Sequence, residues 1–301
     1  MKDTINTSNS SSKIRHWVTS IVVCGIVLIV PVFTLVGFGH FFQGDTSRSG
    51  DPLPVMNVRK VDTTTLPVQL FQEPLITVTF DDGFESIYKS AMPLLQKYGI
   101  RSTQYVISGQ TDDINYVSWE QVEQMQKAGH EIGCHTMNHP DLTTLVDEEL
   151  EYQIKQCKAE LTGRFGPIYN FASPYGSADD RTLNTVSKYF DSQRNTNGDP
   201  SNGVNEADMN LASNFDRYNI IGVTVRHDTK KEELEKLVDY AKANNGWIVL
   251  TYHQADEGEG SQFAVEPEKL EQQFEYLNKT NVRIVTMQDA LRATRLENVE
   301  F

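Results

Sequence analysis

The sequence is short of positive charge, of cysteine and of histidine, and each shortage narrows what the chain can be. Lys and Arg number 27 against 41 Asp and Glu, for a net charge of −14. No basic footprint exists for a nucleic acid, and a strongly anionic polymer meets the wrong overall sign. Three cysteines in 301 residues do not make a disulfide-dense scaffold. Only seven histidines occur, so any two that fall close together carry information. No internal repeat stands out. What the chain does have is 39% hydrophobic and 10% aromatic residues, which excludes global disorder. Its length suits one large domain with a short appendage.

Charge is missing altogether from Trp17 to Phe42, and Val18 to Phe38 is almost continuously apolar. As a helix that core would be roughly 30 Å long, enough to cross a bilayer. Lys13 and Arg15 precede it, so the positive-inside tendency keeps residues 1–16 as a cytoplasmic tail and exports the rest. The expectation is a single-pass protein of the cell membrane: transmembrane helix 17–42, linker 43–73 and an extracytoplasmic domain 74–301. The alternative is secretion after signal cleavage, with Gly37 and Gly39 as a weak small-x-small site. The linker is polar and punctuated by Pro52, Pro54 and Pro67. In the exported part, Cys157 falls on the apolar stripe Leu150, Ile154, Cys157, Leu161 and reads as a buried helix face. Cys134 and Cys157 are therefore expected as two free thiols, although sequence does not decide pairing.

From Leu75 onward, short apolar runs alternate with amphipathic stretches. Strand candidates are 75–80, 103–107, 130–134, 168–172, 219–225, 247–252 and 282–286, with a further possible strand at 188–192. Ser118 with Gln121, and Thr229 with Glu232, read as capping boxes opening helices, and Pro267 opens another. Such alternation means an α/β fold with a mainly parallel sheet. Seven strands fit a barrel or a doubly wound sheet, and periodicity does not choose between them.

Four groups sit directly after predicted strands: Asp81-Asp82-Gly83, His135-Thr136-Met137-Asn138-His139, Ser173-Pro174-Tyr175-Gly176, and His253. Singly, each has an ordinary reading. Asp-Asp-Gly is a common capping turn, a lone H-x-x-x-H is often a surface pair, and Pro-Tyr-Gly is a turn. Together they share the C-terminal rim of a parallel sheet, where catalytic residues collect. Their types are also complementary. One carboxylate and two imidazoles suit a metal if the histidine turn is helical, leaving a spare carboxylate and a spare imidazole for proton transfer.

With those residues in view, the chain resembles the polysaccharide deacetylases of carbohydrate esterase family 4, the NodB homology domain, over about residues 74 to 292. Thr79 to Gly83 resembles the family's first motif and His135 to Pro140 its second. Phe171 to Gly176 looks like the third. Leu250 to His253 is similar to the last, with one extra residue between Leu and His. The resemblance implies a distorted (β/α) barrel of about seven strands and one divalent metal, usually Zn2+, with Co2+ or Ni2+ open to the same donors. It implies Asp82, His135 and His139 as metal ligands, Asp81 as general base and His253 as general acid. It also implies the Tyr175 N–H as an oxyanion donor, and an N-acetylated polysaccharide as substrate. Two departures follow. Where many members carry an Arg in the third motif to hold the base, this chain has Ala172, and Arg194 is a candidate substitute. The Asp that orients the acid has only Asp216 and Asp228 as candidates. A non-catalytic carbohydrate binder or an O-acetyl esterase of the xylan type are the competing readings.

Overall fold

Strand β1 (Leu75–Phe80) is buried along its whole length and anchors the sheet. The computed structural model describes residues 71–257 and 261–294. The expected tail, membrane helix and most of the linker lie outside those residues. Among the described residues no helix is long and apolar enough to cross a membrane.

After β1 come a π-turn (Ile87–Ala91) and helix α1 (Met92–Lys97), β2 (Thr103–Val106), α2 (Trp119–Lys127), β3 (Glu131–Cys134) and α3 (Asp147–Phe165). There follow β4 (Asn170–Ala172), α4 (Asp180–Val186), β5 (Ser192–Arg194) and β6 (Val223–Thr224). The chain continues with α5 (Lys231–Asn244), β7 (Trp247–Tyr252), α6 (Pro267–Lys279), β8 (Arg283–Ile284) and α7 (Met287–Thr294). All ladders are parallel, in the order β5-β4-β3-β2-β1-β7-β6, with β8 pairing the start of β1. The longest register runs from Leu75 opposite Trp247 to Phe80 opposite Tyr252.

The two edges of this path are brought together by backbone bonds. Asn195 N–H donates to Ile220 O (2.9 Å), Ile220 N–H to Gln193 O (3.1 Å) and Gly222 N–H to Asn195 O (3.1 Å). The sheet therefore curls into a distorted barrel. Between β5 and β6 the connection contains only single 3₁₀ turns, Pro200–Asn202 and Glu206–Asp208, instead of a covering helix.

Period-two alternation sorts the side chains. Ile76, Val78, Phe80, Val106, Ile132, Cys134, Phe171, Leu250 and Tyr252 join the large core beneath the helices. Leu75, Tyr105, Ala172, Ile220, Trp247 and Val249 form a second, smaller cluster on the other face, the barrel interior. That interior is partly polar: Thr77, Thr79, Asn170, Ser192, Arg194 and Thr251 are all buried. Inward parity places Asp81, His135, Arg194 and His253 at or just past the C-terminal ends of their strands.

Each of the seven strand candidates has its counterpart, but the set of seven on the main path differs. The possible strand at 188–192 is corrected to β5 at Ser192–Arg194, residues 188–191 lying outside it. Residues 282–286 supply β8, which lies off the main path, while β5 completes it. β5 is Ser-Gln-Arg, all buried. A strand facing a polar interior shows no apolar alternation, so its sequence signal was faint. The Ser118–Gln121 capping box is present, as is Pro267 at the start of α6. The second expected box is not: α5 opens at Lys230, and the Thr229 hydroxyl instead accepts the Arg226 N–H. Cys134 and Cys157 form a disulfide, which corrects the expectation of free thiols. The stripe on α3 is buried as periodicity required. What periodicity did not show is that Cys157 faces the end of β3.

Candidate metal centre

Two adjacent carboxylates on a regular strand would point to opposite faces. Here the backbone turns left-handed at Asp82 (φ 70°) and Gly83 (φ 79°), and Gly83 N–H closes back on Asp81 O at 2.9 Å. Asp is among the few residues with a side chain that enters this region readily. Both carboxylates consequently face His135, whose Nε2 lies 3.4 Å from Asp82 Oδ1 and 3.9 Å from Asp81 Oδ2.

The segment 135–140 is not helical, which corrects the premise that i, i+4 spacing on a helix would align its histidines. Thr136 (φ 67°) and His139 (φ 59°) are both left-handed, and the Thr136 hydroxyl accepts the His139 N–H at 2.8 Å. That folded loop brings the two rings to 4.8 Å and His139 Nε2 to 3.2 Å from Asp82 Oδ1. A β-branched residue in the left-handed region is strained, and such strain concentrates at functional sites.

Ligand atoms of Asp82, His135 and His139 all lie within 4.8 Å of one another. The donors fit a divalent cation in three respects. His135 Nδ1 is 2.8 Å from Ala172 O; a carbonyl only accepts, so Nδ1 carries the proton and Nε2 offers a lone pair. Burial, then the neighbouring His135, lowers His139 to about 4, so it is neutral at pH 7. Asp82 Oδ1 is buried with no hydrogen-bond partner. Burial pushes Asp82 up, but the surrounding imidazoles outweigh it and hold the carboxyl at about 2. For His135 burial works downward, and Asp82 and Asp81 overcome it, leaving this group raised.

Asp81 is held from the other side. Arg194 Nη2 stands 2.6 Å from both of its oxygens, and both residues are buried. Ala172 and Arg194 are register partners on adjacent strands. The guanidinium comes from the neighbouring strand at the same level of the barrel and reaches Asp81, which the short side chain of Ala172 cannot.

His253 extends the inward series Trp247, Val249, Thr251 past the end of β7. Its ring lies against Phe263 at 4.9 Å. Burial lowers its pKa, and the charges it feels include those of Asp81, Asp82, Arg194 and His135. Its Nδ1 is buried without a hydrogen-bond partner among the described residues. Neither carboxylate considered for orienting it is brought there. Asp228 is largely exposed beside His227, and Asp216 accepts the Tyr218 N–H in its own turn.

Tyr175 occupies the one-turn helix Pro174–Gly176 with φ 60°. Its ring packs on His139 at 4.7 Å. Gly176 is required next to it, since a Cβ there would lie 2.3 Å from Thr196 Oγ1 and 2.8 Å from Thr196 N. The sequence reading missed Phe84 and Tyr116, whose stacked rings (5.3 Å) flank the Asp82 turn. The Tyr116 hydroxyl is raised first by burial and then by Asp82. No motif announces that pair.

Residues 70–189 match the family model described as polysaccharide deacetylase. A chitooligosaccharide deacetylase of Azorhizobium caulinodans is 34% identical over 117 residues, 38% of this chain and 53% of the relative. A peptidoglycan-N-acetylglucosamine deacetylase of Bacillus cereus is 33% identical over 115 residues, 38% and 52% respectively. The chain spans about half the length of the curated relatives it matches. The solved peptidoglycan N-acetylglucosamine deacetylase Bc1960 aligns with TM-score 0.52 at 17% identity, covering 73% of this chain and 89% of that one. At that identity the likeness concerns the fold.

Proposed function

We propose that the chain, through a polysaccharide deacetylase domain of the carbohydrate esterase family 4, NodB-homology type, hydrolyses N-acetyl groups from an extracytoplasmic polysaccharide. The observation that carries this reading is the convergence of Asp82, His135 and His139 beside a second carboxylate, Asp81, gripped by a buried Arg194. A binder has no need of that second carboxylate. Peptidoglycan, poly-N-acetylglucosamine and chitin-like chains all present the acetamide that such a site would take.

Asp82, His135 and His139 would hold one divalent ion, Zn2+ first among the candidates. Bound there, such an ion lowers the pKa of a coordinated water and polarises a carbonyl. The chain's own residues do the rest. Asp81, oriented through both oxygens by Arg194, takes the proton of the attacking water. The Tyr175 N–H donates to the acetyl oxygen as negative charge grows on it. His253 protonates the departing sugar amine, without which an amide leaves poorly.

The Cys134–Cys157 disulfide supports the extracytoplasmic assignment, because such bonds persist in oxidising compartments. Residues 17–42 would serve as the anchor, with secretion after cleavage as the alternative. The test is acetate release from chito-oligosaccharide, peptidoglycan, poly-N-acetylglucosamine and acetylated xylan, with and without chelator. Chelator-sensitive release from an amide substrate is expected. His135→Ala should lose bound metal by elemental analysis together with turnover. Chelator-insensitive turnover, or release from the xylan ester alone, overturns the proposal.

A further inference from the structure

The guanidinium of Arg194 is fully buried, yet it has few acceptors. Nη2 is spent on Asp81, Nη1 reaches Asn195 O at 3.4 Å, and Nε has no hydrogen-bond partner among the described residues. A buried cation so sparsely bonded needs another source of stabilisation. The Tyr105 ring supplies one: Arg194 Cζ lies 5.1 Å from its centroid. The face of an aromatic ring attracts a cation, most strongly where water is excluded.

The barrel is hollowed to admit this pair. On β3, a Cβ at Gly133 would lie 2.5 and 2.6 Å from Tyr105 Cδ1 and Cε1. On the run into β6, a Cβ at Gly222 would lie 2.7 Å from Arg194 Cδ. Two strands thus give up side chains at the level where the ring and the arginine meet. The Tyr105 hydroxyl makes no well-formed hydrogen bond among the described residues, although Arg194 is near enough to act on it; the part of the side chain that meets the guanidinium carbon is the ring.

We propose that Tyr105 is a positioning residue for the hydrolysis, its ring holding the Arg194 guanidinium in the orientation that grips both oxygens of Asp81. This rests on reading Asp81 as the base. On this reading Tyr105 acts through Arg194.

The test is a double-mutant cycle on the metal-loaded enzyme, with chito-oligosaccharide as substrate. It uses Tyr105→Phe, Tyr105→Met (which fills the slot without a ring), Arg194→Met and the double variant. Tyr105→Phe should stay within about threefold of the parent kcat, since it keeps the ring face. Tyr105→Met should lower kcat roughly 10- to 100-fold, the scale of an ångström-level misplacement, with KM and bound metal unchanged. In the Arg194→Met background the same change should cost nothing more. Multiplying effects, a parent-like kcat for Tyr105→Met, or an equal loss in Tyr105→Phe overturns the inference. An Arg194→Met enzyme with parental kcat would instead remove the clamped-base reading itself. Urea unfolding of the four metal-free variants gives a second readout: the two substitutions should be non-additive in stability, and strict additivity counts against the pairing.

Discussion

Both ends of the barrel bury a carboxylate and an imidazole, and they differ in what satisfies them. At the N-terminal end, Glu131 accepts from Thr103 Oγ1 (3.0 Å), from the Gln288 N–H (2.9 Å) and from Asn170 Nδ2, whose own oxygen accepts from Ser192 (2.6 Å). His130 Nδ1 accepts the Ser102 N–H at 3.1 Å. At the C-terminal end, Asp82 Oδ1 and His253 Nδ1 are buried without partners. Burial raises Glu131 against the hydrogen bonds that pull it down, whereas imidazoles pull Asp82 down to about 2. A closed network stiffens a fold, and an open one is poised for something the chain itself does not contain. Polar burial alone therefore does not mark a site; unsatisfied groups converging with metal-type donors on one point do.

That contrast can be broken most forcefully at Asp81. Asp81→Asn should keep its metal and its melting temperature while kcat falls roughly 10²–10⁴-fold, the usual worth of a general base. Acetate-release kinetics alongside elemental analysis would read this, and near-parental turnover would remove Asp81 as base.

At the opposite end, pH should act on stability. Burial, then the charge of Arg101, lowers His130 to about 4 in the fold, against about 6.5 when unfolded. The unfolded chain therefore takes up the proton first as pH falls. Stability should be undiminished above about pH 6.5 and decline toward about pH 4, by at most about 3 kcal/mol. Urea unfolding of metal-free protein across that range should show the slope, and His130→Gln should reduce it but not abolish it, because burial lowers His139 to the same value. An unchanged slope would assign the acid sensitivity to the histidines of the metal end. The smallest effect is expected from Glu131→Gln, which turns one acceptor into a donor facing donors. It should cost about 1–2 kcal/mol in unfolding free energy and leave kcat within error. A loss of turnover there would show that the two ends are coupled.

Much of this was legible residue by residue. β1 and β7 could be bounded to the residue because strands buried on both faces read as near-continuous apolar and β-branched runs. Asp81, Asp82, His135, His139 and His253 were marked by their place after such strands. β5 was nearly invisible, since Ser192 and Arg194 face a polar interior. Arg194 could be named as a candidate, yet its target could not. Only the register of β4 with β5 brings it opposite Ala172 and aims it at a carboxylate 113 residues away. The Cys134–Cys157 bond escaped for a similar reason: the helix stripe was evident, the strand end it packs against was not.

Local order therefore determined which residues reach the rim, because strand alternation and the glycine and Asp turns act over a few positions. The tertiary fold decided what they meet there. Left-handed turns at Asp82, Thr136 and His139 aim three donors at one point, and sheet curling sets Arg194 behind Asp81. Distances between side chains far apart in sequence depend on how the strands close, and no short-range pattern encodes that.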